Sequence, residues 1–166
     1  MNFQFYVEKL NSFDEYKKFI NENKKAFPCS CFFIVDFQGE DNKQHFDYFV
    51  PEDKKFFSFQ LENSKLVPVE ASSDKIPEKI SLDLEFDFKE VEDLISKRME
   101  KEGIKNKIQK FLFSLQRKDG KHFLVGTVFI SMLGLLKVNV DLEKMEIVEL
   151  EKKSFFDVMK VKKGKD

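Results

Sequence analysis

One order of apolar patterns occurs twice along this chain, and that constrains its fold more than any other feature. Residues 2–10 (NFQFYVEKL) place Phe3, Phe5 and Val7 on one face, as a half-buried strand does. Ser12-Phe13-Asp14-Glu15 then has the form of a capping box opening a helix, with Phe13, Tyr16, Phe19 and Ile20 as its apolar stripe. The spacing predicts this helix over 12–25, ending before Pro28. Strand patterns follow at 31–38, 44–50, 56–61 and 65–70. Between them lie the turn signals Gly39-Glu40-Asp41-Asn42, Pro51-Glu52-Asp53 and Asn63-Ser64.

From residue 79 the order begins again. Ile80, Leu82, Leu84 and Phe86 alternate, and Asp87-Phe88-Lys89-Glu90 is a second capping signal for a helix over 87–101. Its stripe, Phe88, Val91, Leu94 and Ile95, answers Phe13, Tyr16, Phe19 and Ile20 at one offset of 75. Gly103 stops the helix. Strand patterns return at 110–117, 121–131, 135–142 and 145–150, with Lys118-Asp119-Gly120 as a hairpin turn. Lys43-Gln44-His45-Phe46 matches Gly120-Lys121-His122-Phe123, and the run from Leu61 to Glu70 parallels that from Leu142 to Glu151. The reading is an α+β fold made by internal duplication. Each unit is a strand, a helix and a four-stranded antiparallel meander, with the helix packed on one face of a curved sheet. The units span 1–73 and 78–153, joined by 71–77 and followed by a basic C-terminal tail, 154–166. Phe13, Phe19, Ile20, Phe33, Val35, Leu94, Ile95 and Leu112 are expected to be buried.

That plan resembles the cystatin fold, in which a long antiparallel sheet wraps one helix. Residues 88–151 are also similar to a PepSY module in the helix, the hairpin at Lys118-Asp119-Gly120 and the closing run Val138-Asn139-Val140-Asp141 to Val148. Lys144-Met145 stands where the PepSY pattern has Thr-Gly. Tandem cystatin-like or PepSY-like modules would imply a protein that binds or inhibits peptidases. Gln116 and Gly120 have the spacing of the cystatin inhibitory loop, but Lys118 replaces its Val and Asp119-Gly120 is what a plain turn wants, so no inhibitory loop is read.

Chemistry is scarce. There is no G-x-G-x-x-G, no G-K-[ST] and no G-x-S-x-G. Cys29 and Cys31 are the only cysteines, and His45 and His122 the only histidines that could complete a zinc site; the cysteines read as small buried strand residues. Cys31 with His45 is a conceivable nucleophile pair that nothing in the sequence marks. No catalytic set, metal or cofactor is expected, and the chain reads as a non-enzyme. Met1 to Leu10 has no signal-peptide form. The longest uncharged apolar run, 123–136, has 14 residues against the roughly 20 of a membrane-spanning helix. A cytoplasmic protein without membrane contact is expected.

Two functions follow. The first is a binding or regulatory module that touches a protein partner, or a second copy of itself, through a sheet surface. Residues 123–136 carry no charge on either face, so both faces must be covered, one by the helix over 87–101 and the other by the first unit or a homodimer partner. Phe123, Val125, Val128, Phe129, Met132 and Leu133 are the expected interface. The alternative is weak association with an anion or nucleic acid through Lys97, Arg98, Lys101, Lys105, Lys107, Arg117 and Lys118, with the tail. Of 29 Lys and Arg, only Arg98 and Arg117 are Arg, and Trp is absent. The chain therefore lacks the fork that grips phosphate and the commonest interface anchors.

Overall fold

A computed structural model describes residues 2–71 and 74–154. Eight antiparallel strands form one sheet in the order β4-β3-β2-β1-β5-β6-β7-β8. The first four are β1 (Phe27–Asp36), β2 (Lys43–Val50), β3 (Lys55–Gln60) and β4 (Lys65–Val69). The others are β5 (Ile108–Lys118), β6 (Lys121–Ile130), β7 (Gly134–Asp141) and β8 (Glu146–Ser154). Three helices, α1 (Phe3–Ser12), α2 (Asp14–Glu22) and α3 (Phe88–Lys101), lie on one face.

This corrects the expected architecture. The molecule is mostly β, a single continuous sheet, and not a duplicated strand–helix–meander unit. The two meanders meet edge to edge where β1 pairs with β5, from Cys31 opposite Leu115 to Asp36 opposite Lys110. Neither region read as an opening strand is one. Residues 2–10 are helical because Phe3, Tyr6, Val7 and Leu10 make a stripe at i, i+3, i+4 and i+7, all buried, whereas Phe5 is half exposed. Asn2 caps this helix by accepting the Gln4 N–H at 2.8 Å. Ser12 is therefore the last residue of α1, its hydroxyl donating to the Lys9 carbonyl, and α2 starts without a side-chain cap.

Residues 79–86 have no strand partner. The Gln4 side-chain amide donates to the carbonyls of Leu82 (2.8 Å) and Leu84 (2.7 Å), while the Phe3 N–H donates to Phe86. A strap against α1 thus satisfies backbone groups that a ladder would otherwise take. Asp87 does cap α3, accepting the Lys89 N–H at 2.7 Å.

The core lies between the helices and one sheet face. Phe33 joins its two sides, with its ring 6.1 Å from Phe3 of α1 and 4.9 Å from Phe88 of α3. Phe19, Phe33 and Ile95 are buried in it, and Phe13, Ile20, Val35 and Leu94 pack partly buried against it. Leu112 points the other way, alternating with Phe111 and Phe113, which face the core. The tail from residue 155 onward lies outside the described residues.

Candidate interaction surface

The opposite sheet face carries no helix among the described residues, and its composition changes across the strands. Where β1, β2 and β3 meet, it is polar around Asp47, with the Phe27, Phe49 and Phe56 rings clustered at the next positions along the same face. Asp47 accepts the Ser30 hydroxyl at 2.8 Å and that of Ser58, and His45 Nε2 lies 2.6 Å from Glu62 Oε1. Burial holds the Asp47 carboxyl above the usual carboxylate range, with the Ser58 and Ser30 hydrogen bonds and the nearby His45 pulling it back.

The centre of the face is apolar. Register places Ile34 beside Leu112 and Phe32 beside Ser114 across β1 and β5. It then places Ser114 beside Val125 and Lys110 beside Phe129 across β5 and β6, and Phe129 beside Leu135 on β7. Phe32, Ile34, Leu112, Val125, Phe129 and Leu135 are each partly exposed. Next to Val125, the Asn139 Oδ1 is buried without a hydrogen-bond partner among the described residues. On β8, the final strand, the face becomes charged again, with Lys137 3.9 Å from Glu149.

Phe123, Val125 and Phe129 therefore lie together on the open face. Val128 does not, because it alternates with them and is fully buried opposite Phe111 on the helix side. Met132 and Leu133 lie beyond the strand end in the β6–β7 connection, 88% and 60% exposed. On the helix side, Leu124, Val128, Ile130 and Leu136 belong to the same buried core as Val91, Ile95 and Met99 of α3. The first meander covers nothing on the other side, since it continues the sheet laterally. Apolar count alone pointed to this face; knowing which residue of each pair looks outward needed the register.

The basic set is not one patch. Lys97, Arg98 and Lys101 lie on α3 and lead into Lys105 and Lys107 at the start of β5, whereas Arg117 and Lys118 lie at its far end. At ~3.4 Å per residue the two groups are ~30 Å apart. Arg98 is paired with Glu102 at 2.9 Å, and Arg117 donates to the Lys79 carbonyl.

Among the described residues neither cysteine is paired with a histidine, and the acid near them is Asp47, whose backbone carbonyl accepts from Cys29 Sγ at 3.5 Å. Cys31 is buried on the helix side opposite Phe46 and Leu115, while His45 alternates with Phe46 on the open face, so the two cannot act as a pair. Cys29 falls in the bulge between Pro28 and Ser30, which breaks the alternation that would have put both thiols on one face. Burial pushes its thiol up to about 12, and that of Cys31 also well above the ordinary value, so neither is a thiolate at neutral pH. No group of three metal-ligating side chains occurs among the described residues.

The fold is similar to that of a solved structure described as "a putative lipoprotein" from Clostridium difficile 630. The TM-score is 0.55 at 13% sequence identity, covering 84% of this chain and 91% of that one. At that identity the likeness is one of fold. The description names neither a cystatin nor a PepSY protein. No family model matches the chain, and neither does any curated protein.

Proposed function

We propose that this is a non-catalytic binding module whose open sheet face engages another polypeptide. The observation that carries this reading is the one-sided sheet. Eight strands bury one face under three helices and leave Phe32, Ile34, Leu112, Val125, Phe129 and Leu135 partly exposed on the other, as an apolar band interrupted by Ser114, Thr127 and Lys110. Apolar patches of this kind on soluble proteins mark contact surfaces. The polar flank around Asp47 and the charged flank on β8 give the band the apolar-centre, polar-rim order of an interface. Neither thiol is poised for chemistry and the basic residues are divided, which leaves contact as the reading with most support.

A photoactivatable residue at position 125 should crosslink to a polypeptide in cells, while one at Glu8, exposed on α1, should not. Sedimentation of the purified chain then separates a second copy from a different partner. Val125→Lys should abolish the crosslinked species formed from a neighbouring open-face position while leaving the melting temperature within a degree or two. Equal crosslinking from both faces, or from neither, rejects the reading.

A further inference from the structure

The β6–β7 connection is built against its own backbone preference. Met132 and Leu133 sit at φ 64° and 56°, the left-handed region that favours Gly, Asn or Asp. Non-glycine residues at positive φ occur elsewhere, but among the described residues only here do two large apolar residues adopt it in succession. Both side chains are mostly exposed. A tip meant only to turn the chain would carry Asn-Gly, as the Asp119-Gly120 turn nearly does.

The tip is held firmly. The Ser131 N–H donates to the Lys107 carbonyl, the Lys107 N–H to the Ser131 hydroxyl and the Asn106 amide to the Ser131 carbonyl, each at 2.8 Å. That bracing puts Lys105 and Lys107 beside the tip. β8 brings Lys152 and Lys153 to the same end, opposite Leu136 and Leu135, and Lys152 Nζ reaches Asn106 Oδ1 at 3.3 Å. None of these four lysines has an ion pair among the described residues. Of the acids at this end, Asp36, Glu40, Asp41 and Glu62 sit on the β1–β4 side, where Asp41 is taken by Lys43 and Lys110, and Glu102 is taken by Arg98. Glu92 and Glu100 line a cavity with Lys105 and Lys107, and Glu151 precedes Lys152 on β8.

We propose that this end of the molecule docks on an anionic lipid bilayer, Met132 and Leu133 entering the acyl boundary while Lys105, Lys107, Lys152 and Lys153 meet the headgroups. An exposed apolar tip flanked by lysines is complementary to such a surface. The shape disfavours a protein groove lined by acids: the bases here are point charges on flexible stems, without the bidentate fork that a defined acidic site rewards. The expectation of no membrane contact rested on the lack of a spanning segment, and a surface contact needs none. This site adjoins the open-face band where Lys153 pairs with Leu135, but Met132 and Leu133 lie beyond the strands and position 125 lies away from the tip, so vesicle binding and crosslinking at 125 can each fail alone.

The test is co-sedimentation of the full chain with vesicles of phosphatidylcholine alone and with roughly a third phosphatidylserine. Binding should require phosphatidylserine and fade as salt rises. Lys105→Glu with Lys107→Glu should weaken it by about tenfold or more, two charges being reversed near the surface. Met132→Asn with Leu133→Gly should lose binding to a similar degree while raising the melting temperature, since both new residues suit positive φ. A variant that is more stable and still binds overturns the insertion, as does equal binding to both vesicle types. Retention on immobilised polyglutamate without vesicle binding assigns the end to an acidic protein and also overturns the proposal.

Discussion

Asp47 is an acid in a place that disfavours charge. It lies on the open face between Ser30 and Ser58, and burial outweighs the two hydroxyl bonds in setting its proton affinity. A carboxyl that binds its proton more tightly when folded makes the folded state hold more protons than the unfolded one. This holds between the ordinary value of 3.8 and the raised one. Stability therefore falls as pH rises through that window, and the loss is complete above it. Asp47→Asn keeps an acceptor for the serines and removes the charge. Its melting temperature should exceed that of the parent at pH 7, with the gap closing as pH falls towards 3.8. A variant less stable at neutral pH would show that the charge is stabilising and the sign reversed.

The pairing of β5 with β6 depends on one missing side chain. A Cβ at Gly126 would lie 1.9 Å from the Leu112 carbonyl oxygen and 3.0 Å from the Phe113 Cα, both backbone atoms that cannot rotate away. Gly126→Ala should cost about 3 kcal/mol or more, seen as a lower urea midpoint at unchanged slope. A glycine inside an apolar strand is a sequence signal for such close approach. The strands were similarly legible, because turn residues punctuate period-two runs along the chain. Residues 2–10 were not, since Phe3 and Val7 satisfy both the strand and the helix period. Only Tyr6, Leu10 and the Asn2 cap decide between them. Nor could alternation in 79–86 reveal that Gln4, far away in sequence, would occupy the carbonyls of Leu82 and Leu84. Of the expected interface residues, Val128 was misassigned for a related reason: an uncharged run does not announce which of its two faces is dry.

At the scale of the molecule, one core serves both meanders. Phe33 touches rings on α1 and α3 from the central strand, beside Phe113 of β5. Phe33→Ala should cost ~3–5 kcal/mol. Because the two meanders share this residue and the sheet, unfolding should remain a single transition. Hydrogen exchange should quicken in β3 and β7 alike. Faster exchange in one meander alone would mean that the halves are independent folding units. The lateral joining of the meanders was hidden in the sequence, because repeated local patterns are equally compatible with two separate layers and with one wide sheet.

The β1–β5 seam also sets a timetable for synthesis. Cys31 waits for Leu115, which is 84 positions later in the chain. At ~5–20 residues per second, β1 has left the ribosome's active centre some 4–17 s before its neighbour has been made. During that interval Phe27–Asp36 is an unguarded edge of high β-propensity, with one flank hydrogen-bonded to β2 and the other open. The nascent chain is therefore most prone to sticking at mid-synthesis. Slow translation between β4 and β5 would lengthen that exposure without altering a single contact of the finished molecule.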